Sequence, residues 1–76
     1  MSINEFIEKF QSQLENTDVT IAPETEYSKE SYWDSLTAMV IKVMIEDEYG
    51  VDMEPEQITA LNTINALYSF VSEKKQ

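Results

Sequence analysis

The chain lacks cysteine and histidine altogether, and its 76 residues include a single glycine and two prolines. Without cysteine it can form neither a disulfide nor a zinc–thiolate site, and it has no thiol of its own. Without histidine, a serine in this chain has no imidazole to act as its general base. The sequence also shows no hydrolytic triad, phosphate-cradling glycine loop or metal-binding cluster. We therefore do not expect a serine of this chain to act as a catalytic nucleophile.

Basic residues are also scarce, with five against fifteen acidic residues and a net charge of −10. This balance argues against binding to nucleic acid or to an anionic membrane, because both need clustered lysine and arginine. No apolar stretch is long enough to span a bilayer, and residues 1–6 lack the basic and apolar regions of a secretory signal. We expect a cytoplasmic monomer whose partners carry a basic docking patch.

The apolar residues, 42% of the chain, suffice for one small core, so we expect a single domain over residues 1–76. The first apolar residues recur at helical spacing and predict an amphipathic helix of about three turns. Ser2 or Asn4 can cap this helix, and it should end near residues 15–16. Its apolar positions are Ile3, Phe6, Ile7, Phe10 and Leu14.

Residues 16–33 break the helical pattern and are rich in threonine, glutamate and serine. A connection of this length is unusual in a compact domain. We expect an ordered loop with a turn near Pro23 and a short helical turn over residues 28–32. Apolar side chains should anchor it to the core: Val19, Ile21, Tyr27, Tyr32 and Trp33.

The second helix is predicted from Ser35 to Tyr49, with Asp34 as its N-cap and Gly50 as its stop signal. It is apolar around far more than one stripe. A core stripe accounts for about half of its apolar residues: Ala38, Ile41, Ile45 and Tyr49. Apart from Met44, the others form a second strip, which we interpret as an interaction surface unless loop anchors such as Trp33 cover it. This strip contains Leu36, Met39, Val40 and Val43.

Two further helices complete the predicted fold. Pro55 suits the first position of a short helix over residues 55–60, which should turn Ile58 and Leu61 inward. Thr63 can cap a last helix over residues 64–72, and residues 73–76 should form a fraying tail. The fold class is therefore all-α: a small bundle of three main helices plus a short third helix.

The tetrapeptide from Trp33 to Leu36 places a serine hydroxyl beside a carboxylate at the start of the second helix. Asp-Ser at a helix start is also ordinary capping chemistry, so the tripeptide from Asp34 to Leu36 is a weak motif by itself. A phosphodiester on Ser35 would gain from the helix dipole and from free N–H groups, whereas Asp34 would repel it towards water. These features favour a serine that is modified over one that is a nucleophile.

The whole pattern is more specific than the tripeptide. Asp34-Ser35-Leu36 opens a helix that closes with Glu46-Asp47-Glu48-Tyr49-Gly50, followed by Pro55, Ile58 and Thr63-Ile64-Asn65-Ala66-Leu67. Over essentially its whole length the chain resembles an acyl carrier protein. The resemblance implies that Ser35 is the attachment site for 4′-phosphopantetheine, transferred from coenzyme A by a magnesium-dependent holo-carrier-protein synthase (a phosphopantetheinyl transferase). The cofactor thiol would then carry acyl groups as thioesters.

The resemblance also implies partners: an acyl-loading ligase or acyltransferase, and a ketosynthase or other acyl-processing enzymes. Such partners must dock transiently, through a modest apolar contact ringed by carboxylates. We expect the docking residues to be Asp34, Leu36, Met39, Val40, Val43, Glu46 and Asp47. We interpret the Glu46 to Glu48 run as a solvated acidic face and not as a cation site.

Three positions depart from the usual pattern of carriers in fatty acid synthesis. Trp33 stands where many of them have a small residue, and we interpret it as a loop anchor. Thr37 and Val40 stand at positions that are often acidic. These departures favour a dedicated fatty-acid-like, polyketide-like or other secondary pathway. Two alternatives stay open: an aminoacyl or peptidyl carrier of a non-ribosomal pathway, and an unmodified acidic helical adaptor.

Overall fold

Four α-helices follow one another in the computed structural model, which describes residues 2–14 and 19–75. They are α1 (Ile3–Ser12), α2 (Ser35–Tyr49), α3 (Pro55–Leu61) and α4 (Ile64–Lys75). Within the described residues there is no strand, only an isolated bridge between Glu26 and Thr63. The predicted all-α fold with a short third helix is confirmed. No helix in the described part of the chain has the length and apolarity required to span a membrane.

The helix α1 starts as predicted but ends early. Ser2 is its cap, since the backbone N–H of Glu5 donates to the Ser2 hydroxyl at 3.2 Å. After Ser12 the chain leaves the α-helix through i→i−3 bonds, with Leu14 N donating to Gln11 O at 3.0 Å. The predicted end at residues 15–16, which lie outside the described residues, was therefore too late.

The bounds of α2 are those predicted, because both of its ends carry strong local signals. At the start, the carboxylate of Asp34 accepts the backbone N–H of Thr37 at 2.8 Å. At the end, Gly50 adopts the left-handed conformation with φ 69°, and its N–H donates to Glu46 O at 2.9 Å. An N-cap carboxylate and a glycine C-cap are the commonest ways to satisfy the free backbone groups of a helix.

Replacing Gly50 by alanine should lower the free energy of unfolding by about 1–2 kcal/mol, the usual cost of a left-handed conformation for an L-residue. A Cβ built on Gly50 meets no atom within 4 Å, so the loss comes from the backbone conformation alone. Asparagine tolerates this conformation better, so Gly50→Asn should lose less. Urea denaturation of the three proteins checks this, and equal losses for alanine and asparagine would contradict it.

The helices α3 and α4 both run past their predicted ends. A capping box between Glu54 and Gln57 starts α3, which continues one residue beyond residue 60. The helix α4 is capped as predicted by Thr63, whose hydroxyl accepts the N–H of Ala66 at 3.2 Å. The predicted fraying tail was wrong for residues 73–75, which are helical, while residue 76 lies outside the description. Lys74 stabilises this last turn by lying over the Phe70 ring, 5.5 Å from its centroid.

The loop between α1 and α2 is anchored more deeply than its composition suggests. Its short helical turn spans Tyr27–Lys29, earlier than the predicted residues 28–32. Tyr27 is fully buried, and its hydroxyl donates to the backbone carbonyl of Ile58 in α3. Burial raises the pKa of this phenol. Ile21 is buried as well, while Val19, Tyr32 and Trp33 pack half-buried against the core, so the predicted anchors are confirmed.

The core is apolar and draws on all four helices and the loop. No polar or charged residue is buried in the described part of the chain. Apart from Tyr27, the fully buried side chains are Phe6, Phe10, Ile41, Ile45, Met53, Ile58, Ile64, Leu67 and Val71.

Acidic residues outnumber the cations that could neutralise them at the surface. Three of the five lysines form exposed ion pairs: Lys9 with Glu48 at 3.4 Å, Lys29 with Glu26 at 2.7 Å, and Lys42 with Asp52 at 2.9 Å. The carboxylates in excess repel one another and oppose folding.

We expect added sodium chloride or magnesium to raise the melting temperature by several degrees, because ions screen this repulsion. A Glu46→Gln/Asp47→Asn variant, in which two exposed carboxylates are neutralised, should show a smaller salt-induced rise in melting temperature. Differential scanning calorimetry over a salt series checks both expectations. A melting temperature that does not change with salt would show that repulsion contributes little.

Candidate functional site

Ser35 is the first residue of α2 and is exposed. The carboxylate of the preceding residue, Asp34, caps the helix. The pKa of Asp34 lies below its usual range, chiefly because the backbone N–H of Thr37 donates to the carboxylate. Asp34 is therefore ionised at neutral pH, and its charge lies beside the serine hydroxyl.

The Ser35 hydroxyl is available for chemistry. Within residues 2–14 and 19–75 it makes no hydrogen bond, whereas the neighbouring Thr37 hydroxyl donates to the carbonyl of Tyr32 at 3.0 Å. The N-terminus of a helix of this length favours an anion, because its first N–H groups have no intrahelical partner. A phosphate on Ser35 would experience this attraction and the repulsion of Asp34 together.

A groove of about 550 Å³ opens beside Ser35, between the start of α2 and α3. Its volume lies within the range of about 300–1,000 Å³ that is usual for small-ligand sites. Apolar side chains and the aliphatic parts of polar ones make up most of its wall. The lining residues are Trp33, Asp34, Ser35, Ala38, Met39, Pro55, Glu56, Thr59 and Ala60.

Trp33 anchors the loop, as its sequence context indicated, and it also forms part of the groove. Its indole Nε1–H donates to Thr59 Oγ1 in α3 at 3.0 Å. Its ring lies parallel to that of Phe10, with centroids 6.2 Å apart, and 4.7 Å from that of Tyr27. We did not predict the groove residues of α3, because nothing in the local pattern around Thr59 indicates that this helix packs beside Trp33.

Most of the second apolar strip of α2 is open to solvent. The exposed fractions are 70% for Leu36, 50% for Met39 and 51% for Val43. Spacings of three and four residues place them on one face of the helix. Loop anchors therefore do not cover these three residues. Val40 is covered in part, since it is half-buried and lines a second groove with Leu14 and Tyr32.

Two exposed carboxylates, Glu46 and Asp47, continue this face beyond Val43. Lys42 Nζ lies 3.7 Å from Glu46 and so partly neutralises it, while Asp47 has no ion pair within the described residues. Between Asp34 and Glu46, Lys42 is the one charged residue of α2. The strip from Leu36 to Val43 is therefore apolar, and carboxylates lie at its two ends, Asp34 at the start and Glu46 and Asp47 beyond Val43. The described residues contain no group of three or more side chains that could hold a metal ion.

Comparison with known proteins identifies the family of this chain. Residues 4–71 match the family model described as "Phosphopantetheine attachment site". The chain belongs to this family. It is also 26% identical, over 78 residues, to the acyl carrier protein of Thermosynechococcus vestitus, an alignment that covers 97% of this chain and 96% of that protein. No solved structure gives a significant match.

Family membership fixes two properties of this chain. It is a carrier and not an enzyme, and its cofactor is a covalent 4′-phosphopantetheine. The described residues fit that group, because an exposed hydroxyl without an intramolecular hydrogen bond lies beside a groove large enough for part of an extended chain. A chain without cysteine thereby acquires a thiol.

Proposed function

We propose that Ser35 receives 4′-phosphopantetheine and that the carrier presents acyl groups to partner enzymes through the face of α2 that begins at Leu36. The exposed Ser35 hydroxyl, placed between the groove and the apolar strip of α2, is the single observation that carries this proposal. The groove and the apolar strip both start beside Ser35. The groove is suited to the phosphopantetheine arm, and the strip is suited to a partner enzyme.

Attachment needs two things from the chain, an accessible serine and a surface on which the transferase docks. Ser35 Oγ forms a phosphodiester with the phosphopantetheine phosphate of coenzyme A, the pyrophosphate bond breaks, and adenosine 3′,5′-bisphosphate leaves. The serine proton passes to a base of the transferase, since the neighbouring carboxylate, Asp34, is engaged as the helix cap and its lowered pKa makes it a weak base. The chain contributes a fixed geometry, because the Asp34 cap holds the first turn of α2 in place.

When bound, the group supplies a terminal thiol that holds acyl groups as thioesters. The residues that would contact the arm are those of the groove nearest the serine, Met39 on α2 and Pro55 and Thr59 on α3. Most of these contacts are apolar and weak, so the arm can leave the groove when a partner binds.

Partners dock on the apolar strip, in our proposal, through Leu36, Met39 and Val43, with Val40 at its edge. The charges of Asp34, Glu46 and Asp47 frame this strip and raise the rate of association with basic surfaces. Transferases, acyl-loading enzymes and acyl-processing enzymes such as ketosynthases are the partners that this role requires. The lack of acidic residues between Asp34 and Glu46 favours a dedicated pathway over general fatty acid synthesis.

Intact-mass spectrometry tests the proposed function. Incubation with a broad-specificity phosphopantetheinyl transferase, magnesium and coenzyme A should add the mass of one phosphopantetheine. Subsequent loading with acyl and aminoacyl donors should favour the acyl donors. An unchanged mass with several transferases would contradict the proposal and favour an unmodified adaptor, and loading by aminoacyl donors alone would favour an aminoacyl carrier.

A further inference from the structure

Trp33 separates the groove beside Ser35 from the hydrophobic core. Its half-buried side chain lines the groove. Its ring also packs on Phe10 and Tyr27, both of which are fully buried. A group that enters the groove from Ser35 therefore meets the indole before it can reach the interior.

Two hydrogen bonds hold this arrangement closed. The indole N–H of Trp33 donates to Thr59 Oγ1 at 3.0 Å. The Tyr27 hydroxyl donates to the backbone carbonyl of Ile58, which is next to Thr59 in α3. Both bonds join the loop to α3 at the side where the groove meets the core. Moving the indole aside would leave a partly buried donor without its partner and would separate the indole from the rings of Phe10 and Tyr27, which is unfavourable.

We propose that Trp33 keeps the tethered group in the surface groove between α2 and α3 and excludes it from the core. The occupant is the arm on Ser35 together with the first carbons of its acyl group, because the groove starts at that serine. This inference rests on the proposed attachment at Ser35. Short and long acyl groups would then be equally exposed to partner enzymes beyond the groove.

Nuclear magnetic resonance of the loaded carrier tests the inference. Trp33 is the only tryptophan in the chain, so its indole N–H gives a single resonance. The protein would be compared in the apo, holo, butanoyl and dodecanoyl forms. We expect the indole resonance to shift on loading with either acyl group, while the methyl resonances of Ile45 and Leu67, which are fully buried, stay in place. Core methyl shifts that appear only with dodecanoyl, or an indole that does not respond, would overturn the inference.

Variants of two residues that line the groove provide the second arm of the test. Trp33→Leu removes the indole ring, and Thr59→Val removes the acceptor of the indole hydrogen bond with little change in side-chain volume. In both, dodecanoyl should shift the Ile45 and Leu67 methyls, and hydroxylamine should cleave the dodecanoyl thioester several-fold more slowly than the butanoyl thioester. The wild-type protein should show equal cleavage rates. If Trp33→Leu does not fold, Thr59→Val and the wild-type comparison decide the outcome.

The intact mass of every sample distinguishes the two proposals. A wild-type protein that gains no mass would overturn the attachment at Ser35. A protein that is fully modified but shows shifts in its core methyls would overturn only the role of Trp33. Variants in which dodecanoyl still leaves the core methyls unchanged would likewise show that Trp33 is not the residue that excludes the chain.

Discussion

Replacing Ser35 by alanine is expected to abolish phosphopantetheine attachment completely. The serine oxygen is the atom that forms the phosphodiester, and alanine has no nucleophile to replace it. Incubation of both proteins with a transferase and coenzyme A, followed by intact-mass measurement, checks this. The wild type should be modified once and the variant not at all.

Misfolding would not explain this loss, because Ser35 is exposed at the first position of α2. Alanine is the best helix former, and the Asp34 cap does not involve the Ser35 side chain. The free energy of unfolding should therefore change by no more than about 0.5 kcal/mol. Ser31→Ala, which alters an exposed serine of the preceding loop, is the matched control and should load normally. Loading of Ser35→Ala, or loss of loading in Ser31→Ala, would contradict the assignment.

Replacing Leu36 by glutamate is expected to lower kcat/KM for loading by the transferase about 10–100-fold. Leu36 is 70% exposed, so the charge is well solvated in the free carrier and stability should hardly change. In the complex the leucine would be buried against an apolar partner surface, and central apolar contacts of this kind are often worth about 2 kcal/mol or more. A carboxylate placed there must lose its water without gaining a partner.

Ser69→Glu provides the control for charge alone. Ser69 is an exposed residue of α4, and its replacement adds the same charge away from the proposed docking face. Loading kinetics for the wild type and the two variants, measured at several salt concentrations, separate the two effects. Equal kcat/KM values for Leu36→Glu and wild type would exclude the strip as the docking surface. An equal loss in Ser69→Glu would show that net charge, and not the strip, sets the rate.

The helices that carry strong end signals could be predicted from the sequence. Asp34 and Gly50 define α2 to the residue, because a cap and a left-handed glycine act locally. The end of α4 could not be predicted, because the contact between Lys74 and the Phe70 ring becomes apparent only once the helix is formed. The early end of α1 has no comparable signal, since neither glycine nor proline follows Ser12.

The candidate site was predictable in part. The face of α2 that contains Leu36 and Val43 follows from helical periodicity and from an excess of apolar residues over what a small core can bury. The groove depends on how α3 packs beside Trp33, and the contact with Thr59 joins residues 26 positions apart. Such pairings are set by tertiary packing, which local patterns do not encode.

Peptide mapping of the loaded wild-type protein is the most direct test of the central assignment. Trypsin should release residues 30–42 as one peptide, since it cleaves after Lys29 and after Lys42, and this peptide carries four hydroxyl side chains: Ser31, Tyr32, Ser35 and Thr37. Fragmentation of the modified peptide should place the phosphopantetheine on Ser35 and leave the other three residues unmodified. A modification on Ser31, Tyr32 or Thr37, or on any other peptide, would contradict the assignment.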